Sequence, residues 1–213
     1  LNRQTVVRVD DFPVVRAGLR HLIGGQADLS VVGEAATPSE ARPAIARARP
    51  DLVIIEPGLG EGDALGLIAD LRRDDPGLRL LACSRLPEVP YAERAVRAGA
   101  QGFVQQRESL DSLLQAIRLV LGGGVHLRAE TVARVTREGE TSGVGVLSDR
   151  ELEVFRLIGE GHSSREIAGR LGISIKTVGT HRSNAMRKLG VTSPSRLAHL
   201  AVKWVSGLRR GAP

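Results

Sequence analysis

Cysteine is almost missing from this chain: there is one, Cys83, in 213 residues. An internal disulfide framework is therefore excluded, and the composition fits a reducing compartment. Cys83 lies in an apolar run, which reads as a buried structural thiol rather than a redox sensor. The five His are scattered and give no zinc-ligand spacing. Aromatic residues amount to only 2%, so any core must be aliphatic, which the 42% hydrophobic content can supply. No apolar run approaches the ~20 residues of a membrane span. The first residues also lack the basic-then-apolar pattern of a secretory signal, so a cytoplasmic protein is expected. Acids thin out toward the end. After Glu160 the only one is Glu166, against ten Lys and Arg.

That last scarcity makes the charge asymmetric. Residues 1–120 carry 15 Lys and Arg against 16 Asp and Glu, whereas residues 121–213 carry 15 against 8. A near-neutral front and a basic tail suit a sensor joined to a nucleic-acid binder.

Within the tail, residues 147–191 read LSDRELEVFRLIGEGHSSREIAGRLGISIKTVGTHRSNAMRKLGV. Ser148 with Glu151, and Ser163 with Glu166, have the spacing of capping boxes that open two helices. Leu152, Phe155, Leu157 and Ile158 form the apolar stripe of the first, with Gly159 and Gly161 expected to end it. Ile167, Ala168 and Leu171 face inward in the second. Gly172 supplies a turn, Ser174 caps a third helix, and Ile175, Val178, Met186 and Leu189 are expected to point inward from it. A short helix, a three-residue Gly-containing turn and a polar, basic helix make a helix-turn-helix. The outward face of the second of these helices presents Lys176, Thr177, Thr180, His181, Arg182 and Ser183, and toward its end Arg187 and Lys188. Hydroxyls and short polar chains suit base edges, and cations suit phosphates. Lys176, Thr177 and Lys188 are the expected phosphate contacts. Taken alone, the same helix also fits a solvated face of an ordinary bundle.

The runs LSDRELEVF, REIAGRLGIS, KTVGTH and RKLGV together resemble the LuxR-type DNA-binding domain of the NarL/FixJ group of bacterial transcription regulators. The resemblance implies a small all-α domain that binds DNA as a dimer through its fourth helix. In this chain that helix falls at 193–208, with Leu197, Leu200, Ala201 and Trp204 at helical spacing. Leu197 and Leu200 are assigned to the domain's own core and Trp204 to an exposed dimer edge. Arg209 and Arg210 would add non-specific phosphate attraction. Gly179 and Ser183 stand where relatives carry longer side chains, which weakens any carry-over of base contacts.

Residues 4–121 alternate apolar runs (5–10, 29–35, 51–56, 79–84, 101–104) with amphipathic stretches (13–25, 37–49, 62–73, 88–98, 109–122). Five strand-then-helix repeats imply an α/β fold, a doubly wound, five-stranded parallel sheet covered on both faces. Functional residues in such sheets gather at the carboxyl ends of the strands, which brings Asp10, Asp11, Glu56 and Ser84 together. VVRVDDFPVVRAGLRHLI, PDLVIIEPGL, LLACS and RAGAQGFVQQ resemble the receiver domain of two-component response regulators, with flavodoxin-like strand order.

Against that family the departures are specific. The phosphoacceptor Asp is Glu56, the conserved Lys is Gln106, and the Met-Pro after the acceptor is Leu59-Gly60. Asp10 and Asp11, the hydroxyl at Ser84 and the aromatic switch position at Phe103 are retained. One extra methylene moves the attacking oxygen by about a bond length, while in-line transfer depends on placement at about the ångström level. The pocket therefore reads as a degenerate phosphoacceptor site, and the front domain as a pseudo-receiver. Asp10, Asp11 and Glu56 still have the chemistry to gather a hard cation, but a pocket without phosphoryl transfer has less need of one. No cofactor or resident metal is expected.

The expected organisation is a receiver-like domain at 1–122, a linker at 123–146 and a DNA-binding domain at 147–213. Gly122-Gly123-Gly124 ends the fifth helix, 128–138 is a candidate connecting helix, and 139–145 (GETSGVG) is a flexible stretch. The expected function is sequence-specific transcription regulation, activation rather than repression, with double-stranded DNA, a second copy of the chain and RNA polymerase as partners. A small-molecule ligand, a Glu56 that mimics the charged state, and a plain dimerising scaffold remain open as replacements for phosphorylation. Phosphorylation at a non-standard acceptor is the alternative reading. An independent enzyme is not expected, since no nucleophile–base pair lies outside the pocket.

Overall fold

A computed structural model describes residues 3–86, 88–136 and 143–210, with the side chains of Val89, Arg134, Thr136, Leu208, Arg209 and Arg210 not described. The expected contribution of Arg209 and Arg210, and most of the flexible stretch at 139–145, thus lie outside the described residues. Two compact units are present, Leu1–Glu138 and Gly139–Pro213.

The first unit alternates β1 (Gln4–Val9), α1 (Pro13–Gly24), β2 (Leu29–Ala35), α2 (Pro38–Ala48), β3 (Leu52–Ile55), α3 (Ala64–Asp74), β4 (Arg79–Ser84), α4 (Glu88–Ala98), β5 (Gly102–Gln105) and α5 (Leu110–Leu121), followed by α6 (Ala129–Thr136). The five strands form one sheet of order β2-β1-β3-β4-β5, parallel throughout. Every expected strand and helix of this unit is found, with ends shifted by a residue or two. Val53, Ile54 and their neighbours on β3 and β4 are wholly buried, as a parallel sheet covered on both faces requires. On one face Val6, Leu52, Ile54, Leu81, Cys83 and Val104 pack against Leu19 and Ile23 of α1 and Leu113 and Ile117 of α5. Side-chain caps start the helices where the sequence offers an oxygen: Thr37 for α2, Asp63 for α3 and Ser109 for α5, each satisfying an N–H the helix leaves open.

The stretch 123–146 is not uniform. His126 bridges to β5, accepting from Phe103 N at 2.9 Å and donating to Gln101 O at 3.0 Å, and α6 packs on α4. Residues 126–136 therefore belong to the first unit as paired and packed chain.

The second unit is helical: a short 3-10 turn at Gly143–Val146, then α7 (Asp149–Gly159), α8 (Ser164–Leu171), α9 (Ile175–Lys188) and α10 (Pro194–Arg210). Its core holds Leu152, Phe155, Leu157, Ile167, Leu171, Val178, Ala185, Leu197 and Ala201. Gly159 is the last residue of α7 and Gly161 follows at φ 92°, as expected. Gly159 has a second role: a Cβ there would stand 2.5 Å from the carbonyl oxygen of Ala201. Its lack of a side chain is what lets α7 and α10 touch backbone to backbone.

Candidate functional site

Two sites were legible in the sequence, one in each unit. In the first unit the strand ends bring Asp10, Asp11, Glu56, Ser84 and Gln106 together. Glu56 is fully buried. Its Oε1 accepts from Ser84 Oγ at 2.6 Å and Gly58 N at 2.8 Å. Its Oε2 accepts from Arg85 N at 2.9 Å and Gln106 Nε2 at 3.4 Å, with Arg85 Nε at 3.5 Å. Burial pushes the Glu56 carboxyl above the usual carboxylate range, and these donors only partly oppose it. Both carboxylate oxygens are engaged by donors of the protein itself. An in-line attack needs one of them free and aimed outward.

Gln106 stands where the resemblance places a Lys. Its amide donates to Asp10 Oδ2 at 2.9 Å and to the Cys83 carbonyl at 3.4 Å as well as to Glu56. A neutral amide can tie two carboxylates together but brings no charge to a phosphoryl group. Asp10 is fully buried, and its Oδ1 accepts from Phe12 N at 2.8 Å. Asp11 is half-buried and accepts from Gly60 N at 3.0 Å. Phe103 is buried on β5, its N–H held by His126. Cys83 is buried, and its thiol is pushed up to about 11, chiefly by burial, which suits an inert core thiol.

Two residues of this cleft escaped the sequence reading. Arg8, on β1, is 1% exposed and forms an ion pair with Asp10. Arg85 pairs with Asp11 at 3.2 Å and lies over the Phe12 ring at 3.7 Å. For Arg8 the signal was present: it is the single charge inside an apolar strand, and an i, i+2 spacing puts it on the same face as Asp10. These contacts decide the question of a hard cation. Asp10 and Asp11 each carry a guanidinium, and the oxygens of Glu56 are taken. Among the described residues no group of three or more acidic, Cys or His side chains is disposed to hold a metal. The residues present do not fit the cation that a working receiver implies.

In the second unit both capping boxes form. Ser148 N donates to Glu151 Oε2 at 2.7 Å and Glu151 N to Ser148 Oγ at 3.3 Å; Ser163 and Glu166 repeat the pattern at 2.8 and 3.3 Å. The Ser163 hydroxyl and N–H hold the Glu166 carboxyl below the usual range. Gly172 takes the left-handed conformation with φ 64° and closes α8, and Ser174 caps α9.

Along α9, Lys176, Thr180, Ser183 and Arg187 are exposed, and Thr177, His181 and Arg182 are half-buried. Thr180 Oγ1 donates to Lys176 O at 3.2 Å, and Thr177 Oγ1 meets Ser174 Oγ at 2.8 Å. Three of the expected contact residues also have partners within the unit, and one residue expected in the core is exposed. Lys188, expected on phosphate, gives its Nζ to Glu151 Oε2 at 2.7 Å and ties the end of α9 to the start of α7. Arg182 donates to Ser164 Oγ at 2.8 Å, joining α9 to α8. Trp204 is half-buried, its ring 5.6 Å from that of Phe155 at a 50° tilt. An aromatic body one turn from Ala201 finds its own core first, and among the described side chains of α10 the exposed large apolar one is Val202. Ile175, expected inward, is 51% exposed, a first-turn residue with no preceding turn of its own helix to cover it.

A parallel five-stranded unit with an acidic cleft at its strand ends, together with a capped helix-turn-helix, defines a receiver-type regulator. Comparison with known proteins agrees. Residues 6–118 match the model of the response regulator receiver domain, and residues 145–201 match that of the bacterial regulatory proteins of the luxR family. The chain is 34% identical over 199 residues to a Pseudomonas aeruginosa protein provisionally named a transcriptional regulator, covering 92% of this chain and 96% of that one. It is 31% identical over 210 residues to the oxygen regulatory protein NreC of Staphylococcus aureus, covering 93% and 96%. Among solved structures it is similar to the RcsB response regulator of Salmonella typhimurium, with a TM-score of 0.72 and 26% identity over 98% of this chain and 99% of that one. The chain belongs to the LuxR-family response regulators, a group of DNA-binding transcription regulators. Among the described residues no helix is long and apolar enough to cross a membrane.

Proposed function

We propose that this chain is a transcription activator that binds a near-palindromic site on double-stranded DNA as a homodimer, and that its receiver unit works without aspartyl phosphorylation. The observation that carries the second half is the state of Glu56: wholly buried, with both oxygens engaged by Ser84, Gly58, Arg85 and Gln106. Dimerisation, a small-molecule ligand, or both take over the control that phosphate exerts elsewhere. DNA binding is supported by the polar exposed face of α9 and by RcsB, one structure of which shows two dimers bound to two parallel DNAs. On this reading the receiver-like fold spans 1–122, the connection 123–146 has its residues 126–136 packed on that fold, and the DNA-binding unit spans 147–213. Lys176, Thr177, Thr180, His181, Ser183 and Arg187 face the DNA, while Arg182 and Lys188 hold the reading helix in place. Trp204 supports α10 from within, so the partner's contact falls on α10 beside it. RNA polymerase is the further partner, and the cytoplasmic nucleoid the place of action.

The test is one titration with two readouts. The full-length protein is incubated with a small phosphodonor and magnesium, and intact mass and affinity for a site selected from random duplexes are measured at stated salt. Unchanged mass with tight specific binding before and after is expected. A stoichiometric gain of about 80 Da, the mass added on phosphorylation, with tighter binding would overturn phosphorylation independence. Within the same assay, Thr180→Ala with Ser183→Ala is expected to cut the preference for the selected site over scrambled DNA by roughly tenfold, the scale of one lost base contact.

A further inference from the structure

Carboxylates gathered at the ends of adjacent strands ordinarily draw a cation from solution. In this cleft the chain supplies its own. Arg8 lies on β1 and Asp10 two residues on, just past the strand's end, so extended chain sends both side chains to the same side, and the two are 1% and 0% exposed. Arg8 is a poor choice for stability alone. Its Nε and Nη1 have no hydrogen-bond acceptor, and removing a guanidinium from water with donors left over is incompletely repaid by one ion pair. What it brings to Asp10 is positive charge. Arg85 performs the same service at the mouth of the cleft. It reaches Asp11 at 3.2 Å and Glu56 at 3.5 Å, and its plane is pinned on the Phe12 ring at 3.7 Å. Its main-chain N–H holds Glu56 Oε2 at 2.9 Å as well.

We propose that Arg8 and Arg85 are the resident cations of this cleft and exclude divalent metal from it, making the receiver unit insensitive to magnesium. A hard dication needs about six oxygen ligands. To gather them here it would have to displace Arg8 from Asp10, lift Arg85 off Asp11, and strip Glu56 of at least one donor, all beside two fixed positive charges. The inference deepens the phosphorylation-independent reading and rests on the same mapping of the cleft.

The experiment is a titration of the full-length protein with Mn2+, followed by electron paramagnetic resonance of the free ion and by thermal melting. Wild type is expected to show no saturable one-to-one site and no shift in melting. Arg8→Leu removes the inner charge and leaves Asp10 seeking a partner. It is expected to gain a saturable site at least roughly tenfold tighter, the scale of removing one close like charge, and to melt higher as Mn2+ is added. Arg8→Lys keeps the charge and is expected to behave as wild type. Saturable binding by wild type equal to that of Arg8→Leu would overturn the inference, as would a folded Arg8→Leu that gains nothing. Should Arg8→Leu not fold, Arg85→Ala carries the test, since that side chain is 33% exposed: a gain in Mn2+ affinity supports the inference and no gain overturns it. Phosphodonor mass measurement on wild type is read separately. A metal-binding but unphosphorylated wild type overturns only this inference, whereas a phosphorylated one overturns phosphorylation independence.

Discussion

In the first unit a buried glutamate, Glu56, is pushed upward in pKa. In the second unit another buried glutamate, Glu151, is held below the usual carboxylate range. For both, burial is the largest influence and acts upward. At Glu151 the Lys188 ammonium and the Ser148 N–H and hydroxyl outweigh it. At Glu56 the donors are mostly neutral, and Arg85, the cation that reaches it, is shared with Asp11. A dedicated, unshared ammonium against one divided guanidinium separates the two cases. Glu151 is thus a carboxylate the scaffold favours, and Glu56 a carboxyl whose ionisation burial opposes.

The strongest way to break this contrast is to remove Glu151. Glu151→Ala orphans Lys188 and the Ser148 N–H together, with an expected loss of about 2–3 kcal/mol in the second unit's unfolding. Lys188→Ala is expected to cost about 1–2 kcal/mol, with DNA affinity falling chiefly through that lost stability. Denaturant curves reading Trp204 fluorescence check both. If Lys188→Ala leaves the curve unmoved while DNA affinity falls, the ion pair is secondary and the lysine belongs to phosphate after all.

The pH dependence sharpens the comparison because the signs differ. Glu151 has a lowered folded pKa, so its contribution is present above the unfolded value of 4.5 and lost as pH falls through the folded one. Glu56 has a raised folded pKa, so the folded state binds the extra proton above 4.5. Its stability contribution falls as pH rises through that window. Glu56→Gln is expected to remove this slope from the first unit, at a cost of about 1 kcal/mol for the Arg85 N–H that would then face an amide nitrogen. Backbone hydrogen exchange of β3 from pH 4 to 8 reads it. A slope that survives the substitution would assign it to another group.

Smallest is Gly172→Ala, which places a Cβ at φ 64° where the space is open. The cost is conformational alone, about 1 kcal/mol, again visible in the Trp204 denaturant curve.

The sequence showed the fold because its signals are local and periodic. Apolar runs of strand length, oxygens at helix starts and glycines at turns each act within a few residues, which is why both capping boxes and all five strands were legible. The long-range pairings were not. Lys188 meets Glu151 across 37 residues and Arg182 meets Ser164 across 18, and a surface cation looks the same in sequence whether it faces a phosphate or a buried carboxylate. The Trp204–Phe155 contact went unread for a related reason, since helical spacing identifies a face but not which neighbour reaches it first. Arg8 differs, because its position within an apolar strand was readable and only its partner, two residues on, went unmatched. The acidic cleft was assembled correctly from strand ends, while its internal neutralisation depended on side chains that no strand-end rule mentions.

The Thr180 hydroxyl spends its only proton on the carbonyl of Lys176. What it can offer outward is lone pairs alone, so a base edge facing it must be one that donates. In the major groove those edges are the amino groups of adenine and cytosine. On the proposed reading, in which Thr180 faces the DNA, a single intrahelical bond would thus bias the alphabet at one position of the site, toward A or C and away from the carbonyls of G and T.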